Sequence, residues 1–284
     1  MNNVKKGVGA WALITLVIIY MGFLIIAPIG AIIKGTFESG LMPVLQSLSS
    51  PSLLAALWLS LKIALIVVTI QAIFGTVVAW IIVRQDFFGR GVLNSLIDMP
   101  FSVSPVVVGY MLLLLFGRNG FLFPMFEKLG IKIAFDVPGM ILATLFVSLP
   151  FMIREMIPAI KNLDRQQELA AQTMGANPWE IFWHIIFPQV RTALMYGISL
   201  TLARALGEFG AVLVIGGGVQ GRTETTTLFI FRALDERRYI EAYAASILLG
   251  AFSVLIVSLT DSFKHLQKKK QEYNDLQEKL SLQP

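Results

Sequence analysis

The sequence predicts an all-α membrane protein with six transmembrane helices, and three observations support this fold class. Of the 284 residues, 56% are hydrophobic and only 14% are charged, whereas soluble domains carry about 25% charged residues. The apolar residues come in long blocks rather than in the short alternations that cover a water-facing core. Cysteine is absent, so disulfides and thiolate sites play no part. This composition excludes an ordinary soluble enzyme.

Six stretches are candidates for membrane spans. A helix that crosses the hydrocarbon core of about 30 Å needs roughly 20 apolar residues. Five long runs contain no Asp, Glu, Lys or Arg, and a sixth carries Arg204 and Glu208 in its interior. The first run is longer than the apolar part of a signal peptide, so we expect it to remain as an anchor. The predicted spans are residues 7–33, 63–83, 99–117, 137–153, 192–215 and 242–260.

The charged residues indicate an orientation. Lys and Arg are more frequent in the segments that lie on the same side as the two termini, and positive charge favours the cytoplasmic side. We therefore expect both termini in the cytoplasm. The net charge of +5 comes partly from these flanking residues, so no nucleic-acid partner is expected. The two histidines, His184 and His265, are too few for a metal cage, and no Walker-type phosphate loop occurs.

The polar segment between the fourth and fifth predicted spans carries the signals of two short helices. Asp164 can cap the first helix with Gln167 as the reciprocal partner, and Gly175 suits the left-handed residue that ends it. Asn177 and Glu180 match a capping box that starts the second helix. Local chemistry therefore predicts an angled helix pair. By itself this pattern is also typical of two short amphipathic helices, joined at an angle, that lie on the lipid headgroups.

The same segment resembles the EAA loop of binding-protein-dependent ABC import permeases, whose pattern is Glu-Ala-Ala, three residues, Gly, nine residues and Ile-x-Leu-Pro. The spacing agrees from Ala170 to Pro188. Two positions depart from the pattern, since Leu169 stands where the family has Glu and Phe187 where it has Leu. The acidic contact that the family makes with its ATPase subunit is then provided by Glu168 or is absent.

The resemblance implies the type I ABC importer permease fold, with a cytoplasmic coupling helix that docks on an ATPase. It divides the chain into an N-terminal part, 1–52, with a cytoplasmic segment, the first span and an extracytoplasmic loop. The transmembrane core, 53–263, includes the EAA-like loop 162–188, and a cytoplasmic polar tail, 264–284, follows. The residues that it assigns to ATPase coupling are Glu168, Ala170, Ala171, Gly175, Ile185 and Pro188.

Further segments resemble the oxyanion branch of these permeases, which includes sulfate and molybdate permeases. They are residues 97–107, 206–211 and 221–225. Residues 208–212 and 239–242 are most similar to the W-type subunit of sulfate and thiosulfate importers. The resemblance implies a transport subunit, not an enzyme, that couples ATP hydrolysis on a partner chain to the import of sulfate or thiosulfate into the cytoplasm.

The resemblance also implies the partners and the location. The partners are a T-type permease subunit in a heterodimer, two cytoplasmic ABC ATPase subunits that hold ATP and Mg²⁺, an extracytoplasmic sulfate-binding protein and membrane lipid. This chain itself is expected to bind no cofactor and no metal. The expected location is the bacterial cytoplasmic (inner) membrane, which the chain crosses several times.

A path for a divalent anion needs water and polar groups, because an unpaired charge in hydrocarbon costs on the order of tens of kcal/mol. Hydroxyl and backbone N–H donors suit such a path, since they bind weakly enough to release the ion. Ser102 and Ser104 lie between Pro100 and Pro105, which interrupt regular helix. They are candidate path residues, unless their hydroxyls bond to a preceding carbonyl of a kinked helix.

A charged pair lies in the fifth predicted span. Arg204 and Glu208 are four residues apart, so they share a helix face and can form an ion pair. Each charge alone is costly in the membrane, so the pair should face protein or water. It lies either at a gate or subunit interface, or it is a structural ion pair that holds two spans together. The candidate residues for the translocation path or gate are Ser102, Ser104, Arg204, Glu208, Phe209 and Gly210.

The segment after the fifth span is rich in glycine. Residues 215–221 predict a flexible return into an extracytoplasmic loop rather than a phosphate-binding loop. Arg222, Thr223 and Thr225 follow. They either receive the anion from a docked binding protein or belong to an ordinary solvated loop.

Other functions remain open at this point. A molybdate or tungstate permease would have the same architecture, because tetrahedral dianions differ mainly in size. An intramembrane hydrolase could use serine with histidine, but His184 lies in the predicted cytoplasmic segment, far from the mid-span serines. A secondary transporter or channel would work without ATP and without the helix pair.

Overall fold

The computed structural model of the protein describes residues 8–38 and 40–281. Residue 7, with which the first predicted span begins, lies outside them. All regular secondary structure in this part of the chain is helical, as the composition predicts. The helices in chain order are α1 (Val8–Phe37), α2 (Leu41–Leu48), α3 (Pro51–Arg84), α4 (Arg90–Ser102), α5 (Pro105–Phe116), α6 (Phe123–Lys128), α7 (Val137–Lys161), α8 (Arg165–Thr173), α9 (Pro178–Ile181), a π-helical segment (Phe182–Ile186), α10 (Phe187–Leu206), α11 (Gly210–Gly216), α12 (Thr226–Asp235) and α13 (Tyr239–Ser281).

Five helical stretches in the described residues are long and apolar enough to cross a membrane, and α4 with α5 makes a sixth if they count as one bent span. The axes of α4 and α5 differ by 112°. The span predicted over 99–117 is therefore bent, and the interruption of regular helix expected at its prolines is present. Pro105 is the cause, because it lacks an N–H and disfavours a helical conformation at Ser104, whose ψ is 135°.

The fifth predicted span, 192–215, is also not one helix. After α10 ends at Leu206, residues 207–209 are not helical, and α11 begins at Gly210. The helix also starts earlier than predicted, because α9, the π-helical segment and α10 run on as one stretch, Pro178–Leu206. Pro188 does not end this stretch, since the wider π-helical turn comes just before it. The second helix of the predicted pair is therefore the beginning of a long span and not a separate element.

The centre of the bundle is formed by α3, α7 and α10. Met152 of α7 lies between two glycines, Gly75 of α3 and Gly197 of α10. A Cβ atom at Gly75 would stand 2.8 Å from Met152 Cγ, and one at Gly197 would stand 2.7 Å from its Sδ. These distances are too short for carbon and sulfur atoms, so the two glycines allow the three helices to approach this closely.

The first and last long helices pack against each other at the edge of the bundle. α1 contacts mainly α13, and at Gly35 a Cβ atom would lie 2.7 Å from the ring of Tyr243. Most apolar side chains of α1 are exposed, which suits a helix that faces lipid. The predicted polar tail, 264–284, continues α13 as far as Ser281, and its last three residues lie outside the described part of the chain.

Candidate coupling segment and translocation site

The helix that carries the EAA-like residues is α8. Asp164 caps it, because its side chain accepts a hydrogen bond from the N–H of Gln166 at 2.9 Å. The reciprocal role predicted for Gln167 is wrong, since the side chain of Gln167 accepts a hydrogen bond from Gln189 of α10 at 3.2 Å instead. The side chain of Gln167 therefore bonds to Gln189 instead of to the backbone at the start of α8, and this bond connects α8 to α10.

The turn between α8 and α9 has the geometry that its residues predict. Gly175 has a φ of +87°, the left-handed conformation that favours glycine. Asn177 and Glu180 form the predicted capping box. The N–H of Asn177 donates to the carboxylate of Glu180, and the N–H of Glu180 donates to Asn177 Oδ1, both at 2.9 Å. Two local signals therefore set the change of direction.

Three of the six predicted coupling residues face inward. Ala171 is buried in a small apolar cluster with Ile181, and Ile185 packs against the same cluster. Glu168 forms an ion pair with Arg84, the last residue of α3. The carboxylate of Glu168 therefore has a partner within this chain. The other three coupling residues are exposed, and they are Ala170, Gly175 and Pro188.

The two serines of the predicted path lie at the bend between α4 and α5. Ser102 is the last residue of α4, and Ser104 directly precedes α5. Both side chains are exposed, and within the described residues neither hydroxyl has a hydrogen-bond partner. The alternative interpretation, in which each hydroxyl bonds to a preceding carbonyl, therefore does not hold in this structure.

The structure brings the two helix breaks together, because α5 packs closely against α11. A Cβ atom at Gly109 of α5 would lie 2.6 Å from the carbonyl oxygen of Ala211. A Cβ atom at Gly210 would lie 3.1 Å from a methyl group of Val106 and 3.3 Å from Pro105. The break before α5 and the break before α11 are thus neighbours in space, although about a hundred residues separate them in the chain.

Arg204 and Glu208 form the ion pair that their spacing predicts, with Arg204 Nη2 2.7 Å from Glu208 Oε2. Glu208 lies beyond the end of α10 and is only 3% exposed. Its Oε1 accepts a hydrogen bond from the N–H of Ala211 at 2.9 Å, and its carbonyl oxygen accepts one from the Thr227 hydroxyl at 2.7 Å. Glu208 therefore joins α10, α11 and α12. Phe209 is half-buried, and its ring centroid is 5.2 Å from that of Phe231.

Sequence reasoning did not find the residues that hold α4 in place. Arg154 of α7 forms an ion pair with Asp98 of α4, its Nε donating to Asp98 Oδ1 at 2.8 Å, and its Nη1 donates to Asn94 Oδ1 at 3.1 Å. These contacts fix α4 across one end of α7 and so set the position of the bend at Ser102. The only sequence signal was a single arginine directly after an apolar run, which does not reveal its partner.

The threonines after the glycine-rich turn are structural. Thr223 and Thr225 are buried, and the Thr223 hydroxyl donates to the carbonyl of Gly216 at 2.7 Å. Arg222 is exposed and lies 2.8 Å from Asp136 at the start of α7. Thr223 and Thr225 are thus withdrawn from solvent. Neither the anion-receiving role nor the interpretation as part of a solvated loop fits these two residues.

Comparison with known proteins identifies the family. A family model described as "Binding-protein-dependent transport system inner membrane component" matches residues 71–273. The chain belongs to this family. It is 43% identical over 248 residues to the sulfate transport system permease protein CysW of Synechococcus elongatus, with 87% of each chain covered. It is 39% identical over 251 residues to CysW of Escherichia coli, covering 88% of this chain and 86% of that protein.

A chloroplast protein is similar as well. The chain is 44% identical over 235 residues to "Sulfate permease 2, chloroplastic" of Chlamydomonas reinhardtii, which covers 83% of this chain. The chain spans 64% of the length of that relative.

A solved structure agrees with this assignment of the fold. The crystal structure of a bacterial ABC transporter involved in alginate import superimposes with a TM-score of 0.77, over 93% of this chain and 97% of that chain. At 17% identity, this likeness concerns the fold alone. The predicted importer permease fold is thereby confirmed. As a member of the family, the chain is a multi-pass inner-membrane component of a system that also has a binding protein and a separate ATPase.

Proposed function

We propose that this chain is the W-type permease subunit of an ATP-driven importer for sulfate and thiosulfate. The observation that carries the proposal is the 43% identity to CysW of Synechococcus elongatus over 87% of both chains. The aligned region includes the coupling segment and both helix breaks, so the similarity is not limited to a single motif. The subunit would form half of the anion path and use ATP hydrolysis on a partner chain to move the anion into the cytoplasm.

For coupling, we propose that α8 receives the ATPase. Its outer side chains, among them Leu169 and Gln172, are exposed, whereas its inner side is tied to α3 and α10. A displacement of α8 would therefore move both long helices. The proposed coupling residues are Glu168, Ala170, Ala171, Gly175, Ile185 and Pro188.

For translocation, we propose that the anion passes the neighbouring breaks before α5 and α11. Irregular backbone at membrane depth is tolerated only where protein or water covers it, so this side should face a partner subunit or a wetted path. The free hydroxyls of Ser102 and Ser104 supply neutral donors. Arg204 attracts anions but does not trap them, because Glu208 compensates its charge. Phe209 and Gly210, which adjoin the bend, would form part of the gate.

The finer assignment of partners and orientation belongs to the same proposal. The chain is 33% identical over 243 residues to the sulfate transport system permease protein CysT of Escherichia coli, which supports a pair of related permease subunits. We infer a heterodimer with a T-type subunit, two ABC ATPase subunits and an extracytoplasmic sulfate-binding protein. We place both termini in the cytoplasm of a bacterial cell, and the distribution of Lys and Arg supports this orientation.

Reconstitution of the complete complex in lipid vesicles tests the substrate. We expect binding protein loaded with sulfate or thiosulfate to stimulate ATP hydrolysis and uptake of the radioactive anion. Stimulation by molybdate alone would make the chain a molybdate permease. Uphill uptake by vesicles that lack the ATPase would contradict the proposal as a whole.

The path is tested with single cysteines, because the chain has none of its own. In the assembled complex, Ser104→Cys should react with a charged, water-soluble thiol reagent, and transport should then stop. Leu114→Cys is the matched control, since Leu114 lies on the same helix and is 59% exposed but belongs to its apolar surface. Equal reaction rates at the two positions would contradict a wetted path at Ser104.

A further inference from the structure

The ion pair between Arg84 and Glu168 joins α8 to the end of α3. The two residues are 84 positions apart, and their side chains are only 15% and 14% exposed. Water and salt weaken exposed ion pairs, whereas a pair withdrawn from solvent interacts strongly, and the loss of one partner leaves an uncompensated charge. This contact is therefore stiffer and harder to break than an ordinary surface pair.

The guanidinium of Arg84 is held from two sides. It lies 5.0 Å from the ring centroid of Trp80, which is one turn earlier on α3. Trp80 packs in turn against the apolar cluster that contains Ala171 of α8. The planar group thus rests on an aromatic ring and meets the carboxylate of Glu168 at its other end. Such an arrangement fixes the direction of the contact as well as its strength.

A second polar contact between α8 and the long helices is of another kind. Gln167 and Gln189 share one neutral hydrogen bond of 3.2 Å, and both side chains are exposed. Among residues 8–38 and 40–281, the pair of Arg84 and Glu168 is the one ion pair that connects α8 to the bundle. The ionic contact through which a movement of α8 can reach a long helix is therefore the contact with α3.

We propose that Arg84 and Glu168 act as an internal strut that carries the displacement of α8 to α3. Glu168 is then a positioning residue that acts through Arg84, and not the acidic contact to the ATPase. This inference rests on the proposed function, in which α8 receives the ATPase.

Neutral substitutions separate a strut from a docking contact. Arg84→Gln and Glu168→Gln should each lower the anion transported per ATP hydrolysed by the same factor, on the order of tenfold. The double variant should be no worse than either single one, and the ATPase subunits should still co-purify. Asp86→Asn is the matched control, because it removes an exposed pair with Arg90 just beyond α3, and we expect it to change nothing.

The opposite pattern overturns the strut. If Glu168 contacts the ATPase directly, Glu168→Gln will release ATPase subunits from the purified complex, while Arg84→Gln will transport like the unchanged protein. A double variant whose losses multiply would equally contradict the strut, since independent residues add their free energies.

A covalent cross-link in place of the ion pair distinguishes a lost connection between α3 and α8 from a folding defect. In the cysteine-free chain, Arg84→Cys with Glu168→Cys should lose coupling and regain it when a reducible bifunctional thiol reagent bridges the two positions. Reduction of the bridge should remove coupling again. If the bridge forms and coupling does not return, the connection between α3 and α8 is not what transmits the movement.

A measurement without anion separates the strut from the proposed function. Spin labels at Gln172→Cys on α8 and Phe74→Cys on α3 report whether the two helices move together when the complex binds nucleotide. With the ion pair intact, the distance between the labels should stay constant, and with Glu168→Gln it should change. If the labels behave in this way but the complex moves no sulfate, the strut stands and the proposed substrate is wrong. A distance that changes with the pair intact refutes the strut.

Discussion

Gly175 marks the residue at which the chain turns from α8 into α9. Its φ is +87°, and no atom lies within 4 Å of the position of a Cβ, so a substitution meets no steric obstacle and affects only the backbone. The left-handed conformation costs an ordinary L residue about 1–2 kcal/mol, and asparagine less. We expect Gly175→Val to reduce ATP-driven uptake strongly and Gly175→Asn to reduce it little, with equal amounts of both variants in the membrane.

Gly91 provides the control for this prediction. It is a helical glycine of α4 that also has open space around it but no positive φ, so Gly91→Ala should leave uptake unchanged. Full uptake by Gly175→Val would mean that the direction of the turn does not matter for coupling.

Asp136 makes stability depend on pH. Burial by itself raises its pKa, but a hydrogen bond from the N–H of Val137 and the charge of Arg222 outweigh this, so the pKa lies below its ordinary value of 3.8. A carboxylate with a lowered pKa stabilises the fold above the unfolded pKa, and this contribution is lost as the pH falls through the folded pKa. Asp136→Asn should therefore lower the Tm of the purified complex at neutral pH, and the difference should begin to shrink near pH 4 and disappear as the pH falls below the folded pKa.

The same titration should be repeated with Asp235→Asn. Asp235 is exposed at the end of α12, and we expect its replacement to leave the Tm unchanged. A constant difference between Asp136→Asn and the unchanged protein from neutral to acidic pH would show that the carboxylate charge is not the source of the stabilisation.

At the scale of elements, the contact of α5 with α11 determines where the two helix breaks lie. A Cβ at Gly109 would stand 2.6 Å from the backbone oxygen of Ala211 and 2.8 Å from Val214 Cβ, and a backbone oxygen cannot rotate away. Gly109→Ala should therefore destabilise the protein by about 1–3 kcal/mol, which thermal unfolding of the purified complex will detect as a lower Tm.

Gly250 of α13 is the matched position, because nothing lies within 4 Å of its Cβ direction. Gly250→Ala should leave the Tm unchanged or raise it slightly. If Gly109→Ala unfolds at the same temperature as Gly250→Ala, the approach of α5 and α11 is looser than the structure indicates.

The boundaries of α8 and α9 could be predicted well because their causes are local. Asp164, Asn177 and Glu180 bond to backbone groups two or three positions away, so sequence spacing contains the geometry. Gln167 shows the limit of such reasoning. Its partner, Gln189, comes from a helix whose path depends on the whole bundle.

At the scale of the whole molecule, orientation can be tested directly. If both termini are cytoplasmic, the connection between α7 and α9 lies inside the cell and the connection between α5 and α7 lies outside. An impermeant thiol reagent should label Glu127→Cys in intact cells but label Gln172→Cys only after permeabilisation. Both side chains are exposed, so they form a matched pair, and the reverse labelling would invert the topology.

The amino-acid sequence alone determined that the protein is a helical membrane protein, with a capped short helix and a sharp turn between two spans. Long apolar runs must be helical in lipid, because a helix satisfies its own backbone hydrogen bonds. Hydropathy does not report the direction of a helix, however, and the uncharged segment 99–117 gives no measure of the angle at its break. Pro105 predicts an interruption near Ser104 locally. Only the tertiary structure decided the angle of 112° and the position of the bend beside Gly210, because the packing of α5 on α11 is a contact between distant parts of the chain. The pairing of Arg84 with Glu168 has the same origin, since no local pattern records which of many charges will meet once the helices are packed.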